Sequence, residues 1–280
     1  MKESKYLTIF FTATLIWTWG FGFAPIIMGI EGTPLGTFLF YFGGGAPSVT
    51  ALMIVFFTYS KEQRKDYFRR CFRFQYMGVK WLVLIILFFS LITVIALWIG
   101  VGLLGYDMPK MDYVHAIAQN PLNLFLVVFF SLISGPLNEE FGWRGFALDR
   151  LFARYGFFKA TLFLGFIWGI WHLAWFFTPG QAQYNLLQSS LFDAVLYIPS
   201  VILLNFAVSF VYVKTKRSIL AGALVHMFAN LLGSQFLSPY STEISMTIRY
   251  TKMFFCGALA LYCVFSQKFK EEFDNLMKSF

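Results

Sequence analysis

Apolar residues run along this chain in long blocks rather than alternating with polar ones. Eight blocks stand out, at residues 6–29, 35–59, 81–105, 121–148, 160–178, 194–213, 218–237 and 253–265. Most approach or exceed the ~20 mainly apolar residues that carry a helix across a bilayer. A helix satisfies its own backbone polar groups, so such blocks are expected to be helical where water is absent. The pattern predicts an all-α polytopic membrane protein, a bundle of about eight transmembrane helices. The first block follows Lys2 and Lys5, but no small-residue cleavage site comes after it, so it is read as a retained span. No internal repeat, linker or low-complexity tract divides the chain. Residues 1–280 are therefore read as a single integral membrane domain, with a chemistry-bearing core at about 120–235.

Composition agrees with this. Hydrophobic residues make up 58% and charged residues 13%, against about 25% charged in soluble domains. A chain with half the usual charge cannot cover a globular surface with solvated groups, which excludes a soluble enzyme, a disordered chain and a secreted disulfide scaffold. The three cysteines, Cys71, Cys256 and Cys263, have no CxxC spacing, so neither a disulfide framework nor a thiolate metal site is indicated. The net charge of +8 is placed asymmetrically. Eighteen of the 22 Lys and Arg residues fall in the N-terminal tail, 60–80, 150–159, 214–217 and the C-terminal tail; Lys110, Arg249 and Lys252 lie on the opposite side, and Arg144 lies inside a block. Cytoplasmic loops carry the cations of membrane proteins, so the chain is oriented N-in and C-in. The lipid bilayer, with its anionic inner leaflet, is the expected partner of that charge and nucleic acid is not. Residues 60–80 interleave Tyr67, Phe68, Phe72, Phe74 and Tyr76 with basic side chains and are expected to lie amphipathically in the interface.

Acidic residues keep to loops and span ends, with two exceptions. Glu139 and Glu140 fall within the fourth block, followed by Arg144; His172 lies in the fifth, and His226 and Asn230 in the seventh. A charge in mid-membrane costs about 2.5–3.5 kcal/mol on insertion scales, so these groups are expected to face one another or a hydrated cavity. Counted from the inner end of each helix at ~1.5 Å per residue, all of them fall at one level, roughly 12–18 Å deep. Glu140 and Arg144 are i,i+4 and share a helix face, as are His226 and Asn230; Glu139 points elsewhere and is left freer. Gly135-Pro136 breaks the backbone ladder just upstream.

A carboxylate and an imidazole converging on one water form a base, and a second imidazole with an adjacent amide can stabilise an oxyanion. These parts make a hydrolase for carbonyl compounds, peptide bonds above all. GxSxG and HExxH are both absent, and no cysteine is placed to act as nucleophile. The favoured reading uses no cofactor. A divalent metal such as zinc stays open, with Glu139, His172 and His226 as candidate ligands.

At these residues the chain resembles the CPBP family of intramembrane proteases, the CAAX protease and bacteriocin-processing group. Glu139-Glu140-Phe141-Gly142-Trp143-Arg144 matches its EExxxR motif, Trp168-Gly169-Ile170-Trp171-His172 is similar to its aromatic-xxxH motif, and His226-Met227-Phe228-Ala229-Asn230 is similar to HxxxN. The resemblance implies an eight-helix fold and a peptidase that acts on a membrane-associated peptide or protein, lipidated in the eukaryotic relatives, in the cell membrane. Carried over by motif, Glu139 and His172 activate water, His226 and Asn230 form the oxyanion site, and Glu140 and Arg144 support them. Two other classes remain: a proton-coupled transporter, which also carries midplane carboxylates and broken helices, and a non-catalytic scaffold or immunity protein. Taken alone, His115 is a solvated loop residue, Trp168, Trp171 and Asn205 are packing residues, and the Glu–Arg set is a buried ion pair fixing helix register.

Overall fold

The structure, a computed structural model, describes residues 2–110, 112–232 and 242–278. Its helices are, in order, α1 (Lys2–Met28), α2 (Pro34–Gly44), α3 (Ala46–Thr58), α4 (Lys61–Phe72), α5 (Gly78–Leu97), α6 (Asp112–Gln119), α7 (Leu122–Ile133), α8 (Pro136–Gly142), α9 (Asp149–Trp171), α10 (Ala182–Ser189), α11 (Leu191–Lys214), α12 (Ile219–Asn230), α13 (Thr242–Phe265) and α14 (Gln267–Lys278). No strand occurs among the described residues.

Five helical stretches are long and apolar enough to cross a bilayer: Ser4–Met28, Gly78–Leu103, Leu122–Phe177, Leu191–Lys214 and Thr242–Phe265. The pair α2 and α3, bent by 53°, makes a sixth. The 56 residues of Leu122–Phe177 are too long for one pass of a ~30 Å hydrocarbon layer. They divide at Gly156, whose φ of 70° and ψ of 177° only glycine adopts freely, so the fourth and fifth expected spans are two passes joined by a kink. The seventh expected span is the twelve-residue α12; its last part, 233–237, lies outside the described residues. The eighth begins earlier than its apolar block, at Thr242, so Arg249 and Lys252 sit within α13 rather than before it. His115 lies on the short helix α6, exposed as expected. Large apolar side chains such as Ile16, Phe57, Val94, Phe129 and Phe254 point outward, as a lipid-facing surface requires. The chain is an all-α, multi-pass integral membrane protein.

The core runs through α1, α3, α5, α9, α11 and α12 and includes Phe10, Val55, Phe89, Trp143, Leu164, Val208 and Val225. The backbones of α9 and α11 come close at Gly165 and Gly169: a Cβ on Gly165 would stand 2.8 Å from Ile202 Cα. This is the small-xxx-small contact that lets membrane helices pack without a hydrophobic driving force between them.

The five cation-rich segments meet at one end of the bundle. Arg154 donates to Ser4 Oγ at 2.8 Å, Lys214 pairs with Glu272 of α14, and Asp149 is gripped by Arg70 and Arg217. Asp149 accepts from Arg70 Nη1 at 3.2 Å, Arg217 Nη2 at 2.6 Å and Tyr212 Oη at 2.9 Å, and is almost wholly buried. Helix α4 starts on a capping box between Ser60 and Gln63. It does more than lie in the interface. Tyr67, Arg70 and Cys71 are buried against the bundle, and Tyr67 Oη donates to Phe141 O at 2.7 Å. Burial pushes the Cys71 thiol up to about 12, leaving it unreactive. Burial alone would raise the Asp66 carboxyl, but Arg69 and Arg70 hold it below the ordinary carboxylate range. At the opposite end, Arg249 of α13 pairs with Asp193 at 2.8 Å, and Tyr250 donates to the same carboxylate.

Removing one member of a buried ion cluster leaves the rest uncompensated, a loss of about 3–5 kcal/mol. Asp149→Asn is therefore expected to lower the thermal midpoint of the detergent-solubilised protein sharply, whereas Asp66→Asn, on the half-exposed rim, should shift it little.

Candidate active site

The polar groups of the fourth span owe their position to three departures from a regular helix. Helix α7 stops at Ile133. Gly135 takes φ −150° and ψ −66°, and Pro136 opens α8 at its first position, where a missing N–H is harmless. In the first turn of α8, the Leu137 carbonyl accepts from Ser48 Oγ of α3 at 2.8 Å. Helix α8 then lies directly on α3: a Cβ at Gly142 would stand 2.4 Å from Pro47 O. From Trp143 to Leu148 the chain winds as a π-helix, every residue of it buried. Such widened turns are frequent at functional sites. Gly145 admits the Tyr67 ring, and at Gly222 of α12 a Cβ would stand 3.4 Å from Arg144 Cγ and 3.5 Å from Glu140 Oε2.

Glu140 is fully buried. Its Oε1 accepts from Arg144 Nη1 at 2.9 Å and meets His226 Nδ1 at 2.9 Å. The second arm of Arg144 donates to Asn205 Oδ1 of α11, and Asn205 in turn donates from Nδ2 to Thr161 O at 2.7 Å. One carboxylate thus joins α8, the π turn and α12, and one guanidinium extends the chain of contacts to α11 and α9. Asn205, expected to be a packing residue, is a member of this network. Its signal in the sequence was the one that marked the others, an amide well inside an apolar helix.

Trp168 is the second hub. Its Nε1–H donates to Glu139 Oε2 at 2.6 Å, its ring meets His226 edge-on at 4.9 Å, and the Arg144 guanidinium lies over it at 4.7 Å. Its carbonyl lies 2.8 Å from His172 Nδ1. A carbonyl can only accept, so Nδ1 carries the proton, and a neutral His172 presents a bare lone pair at Nε2. His172 begins a 3₁₀ segment, His172–Phe177, where α9 ends, and its ring is boxed by Trp171 at 4.6 Å, Tyr197 at 5.4 Å and Trp175 at 5.7 Å. Trp171 Nε1 is tied to Thr18 of α1 at 2.6 Å. Glu139, His172 and His226 are all buried, and Asn230, one turn beyond His226 at the end of α12, is half-buried.

The six sequence-derived residues therefore fall into two linked sets. Glu140, Arg144 and His226 touch directly. Glu139, His172 and His226 are gathered around Trp168. Asn230 lies on the His226 face of α12. For a metal, the donors expected were Glu139, His172 and His226. Among the described residues no three His, Cys, Asp or Glu side chains converge closely enough to hold one ion. As arranged, this set does not fit a three-ligand centre.

Residues 121–232 match the family model described as type II CAAX prenyl endopeptidase Rce1-like. Along 225 residues, 80% of this chain and 82% of the relative, the sequence is 22% identical to a CAAX prenyl protease 2 of Methanococcus maripaludis. The matched segment contains all three motifs, and the resemblance drawn from them is borne out.

The Asn205 contact has a measurable consequence. Asn205→Ala would leave a guanidinium arm without a partner in a dry interior, a penalty of about 1–3 kcal/mol or more. The thermal midpoint should fall accordingly.

Proposed function

We propose that the chain is an intramembrane endopeptidase of the CAAX type, hydrolysing a peptide bond near the C-terminus of a membrane-associated, isoprenoid-bearing protein in the cell membrane. The observation that carries this reading is the arrangement around Trp168: a carboxylate and an imidazole with a free Nε2, held in a water-poor bundle beside a second imidazole. Similarity to a prenyl endopeptidase family supports the substrate class.

On this reading Glu139 and His172 share the activation of one water. Trp168 occupies Glu139 Oε2, so Oε1 is the atom that takes the proton. The Nε2 lone pair of His172 orients the same water, and Glu139, once protonated, hands that proton to the departing amine. The hydroxide adds to the scissile carbonyl, whose oxygen becomes negative. The Asn230 amide donates to that oxygen together with His226, which on this reading acts as an imidazolium with Nδ1–H held by Glu140 and Nε2–H turned to the oxygen, in surroundings where low dielectric strengthens each bond. Glu140 does no chemistry. It fixes the His226 ring through Nδ1 while Arg144 balances its charge. On this reading no step runs through a metal.

Glu139→Gln and His172→Ala should each abolish cleavage of a farnesylated reporter peptide in proteoliposomes, with unchanged expression and elution. His226→Ala and Asn230→Ala should each lower kcat by about 10²–10³, the usual loss for one oxyanion donor. Activity should survive EDTA and 1,10-phenanthroline. Cleavage by Glu139→Gln at the parental rate would remove the proposed base, and loss of activity to chelators restored by zinc would overturn the metal-free route.

A further inference from the structure

A cavity of about 300 Å³ opens between α1 and the part of α9 around the Gly156 kink, at the cation-rich end of the bundle. It belongs to none of the machinery above. Its mouth carries Arg154, Lys159, Ser4 and Thr8; its deeper wall is Leu7, Phe11, Leu151 and Phe163.

Polar and apolar residues are ordered along the membrane normal. On α1 the lining passes from Ser4 to Phe11, about 10 Å further in, and on α9 from Lys159 to Phe163, about 6 Å further in. Both walls thus change from polar to apolar in the same direction. Phe11 and Phe163 close the deep end, edge to face at 5.6 Å. Arg154 is fixed at the mouth by its bond to Ser4 Oγ and by the Tyr155 ring beneath its guanidinium at 5.1 Å. Among the described residues no acidic side chain lines the cavity, which leaves its two cations to an occupant. Cations over an apolar slot that opens to the bilayer complement one molecule already present there, a lipid with an anionic headgroup. The volume, at the lower end of the ~300–1,000 Å³ of small-molecule sites, suits the headgroup and first methylenes. The rest of each chain would run along the exposed Phe163 and Phe166.

We propose that this groove is the seat of one anionic glycerophospholipid of the inner leaflet, its phosphate between Arg154 and Lys159 and its acyl chains against Phe11 and Phe163. The seat is independent of the peptidase reading, and a binding measurement tests it. The full chain, purified in mild detergent, is titrated with phosphatidylglycerol or phosphatidylcholine of identical chains, and bound lipid is counted by native mass spectrometry. One phosphatidylglycerol should be retained in clear preference to phosphatidylcholine. Arg154→Ala/Lys159→Ala should reduce that preference roughly tenfold or more without changing helicity or elution. Phe163→Ala should weaken both lipids together. Lys61→Ala/Lys65→Ala, which removes two exposed cations of α4 at the same end, should change nothing. The proposal is overturned by equal retention of the two lipids, by equal losses in the two double variants, or by displacement of the lipid with millimolar inorganic phosphate, which would mark a headgroup-only anion site.

Discussion

A carboxylate and a guanidinium in the apolar interior of a membrane protein demand polar partners, and the Glu140–Arg144 pair draws them from three other helices, although Glu140 Oε2 and Arg144 Nε are left without a hydrogen bond among the described residues. Glu140 holds His226 of α12, and Arg144 reaches Asn205 of α11, which binds the α9 backbone. A buried pair of this kind contributes little net stability compared with apolar packing, but losing one member is severe, so it acts chiefly to specify one arrangement. Here the arrangement specified is the meeting of α8, α9, α11 and α12, the helices that carry the three motifs and Asn205.

The backbone irregularities follow from the same demand. A regular helix through 121–171 would spread its polar groups around the cylinder. The break at Gly135-Pro136 and the π turn after Gly142 instead aim both carboxylates inward, and the Gly156 kink returns the chain so that Trp168 and His172 face them. Glycine is required where backbones close in, at Gly142 on Pro47 and at Gly165 on Ile202. Outside this interior, the exposed apolar side chains and the single cation-rich end set the protein in its bilayer. The groove between α1 and α9 lies at that same end.

Much of this was legible in the sequence. Hydropathy gives the helices because the bilayer permits few alternatives, and the i,i+4 spacing of Glu140 and Arg144 pairs them because both lie on one helix face whatever surrounds them. Contacts between helices were not legible. The Trp168–Glu139 bond spans 29 residues and depends on the kink at Gly156, and Asn205 meets Arg144 across 61. No local pattern encodes either, although an amide and an indole beside charged motifs were grounds for suspicion. Helix α14 was hidden for another reason. Its Phe269 and Phe273 pack at helical spacing into the core, but the Lys and Glu residues between them masked the apolar stripe.

The claim on which the rest depends is that Glu140 and Arg144 act as one unit, and a double-mutant cycle measures it directly. Glu140→Gln, Arg144→Met and the double variant are unfolded reversibly in mixed micelles and their free energies compared with the parent. A coupling of about 2 kcal/mol or more is predicted, with the double variant more stable than the sum of the single losses implies, and additivity within about 0.5 kcal/mol would contradict the account.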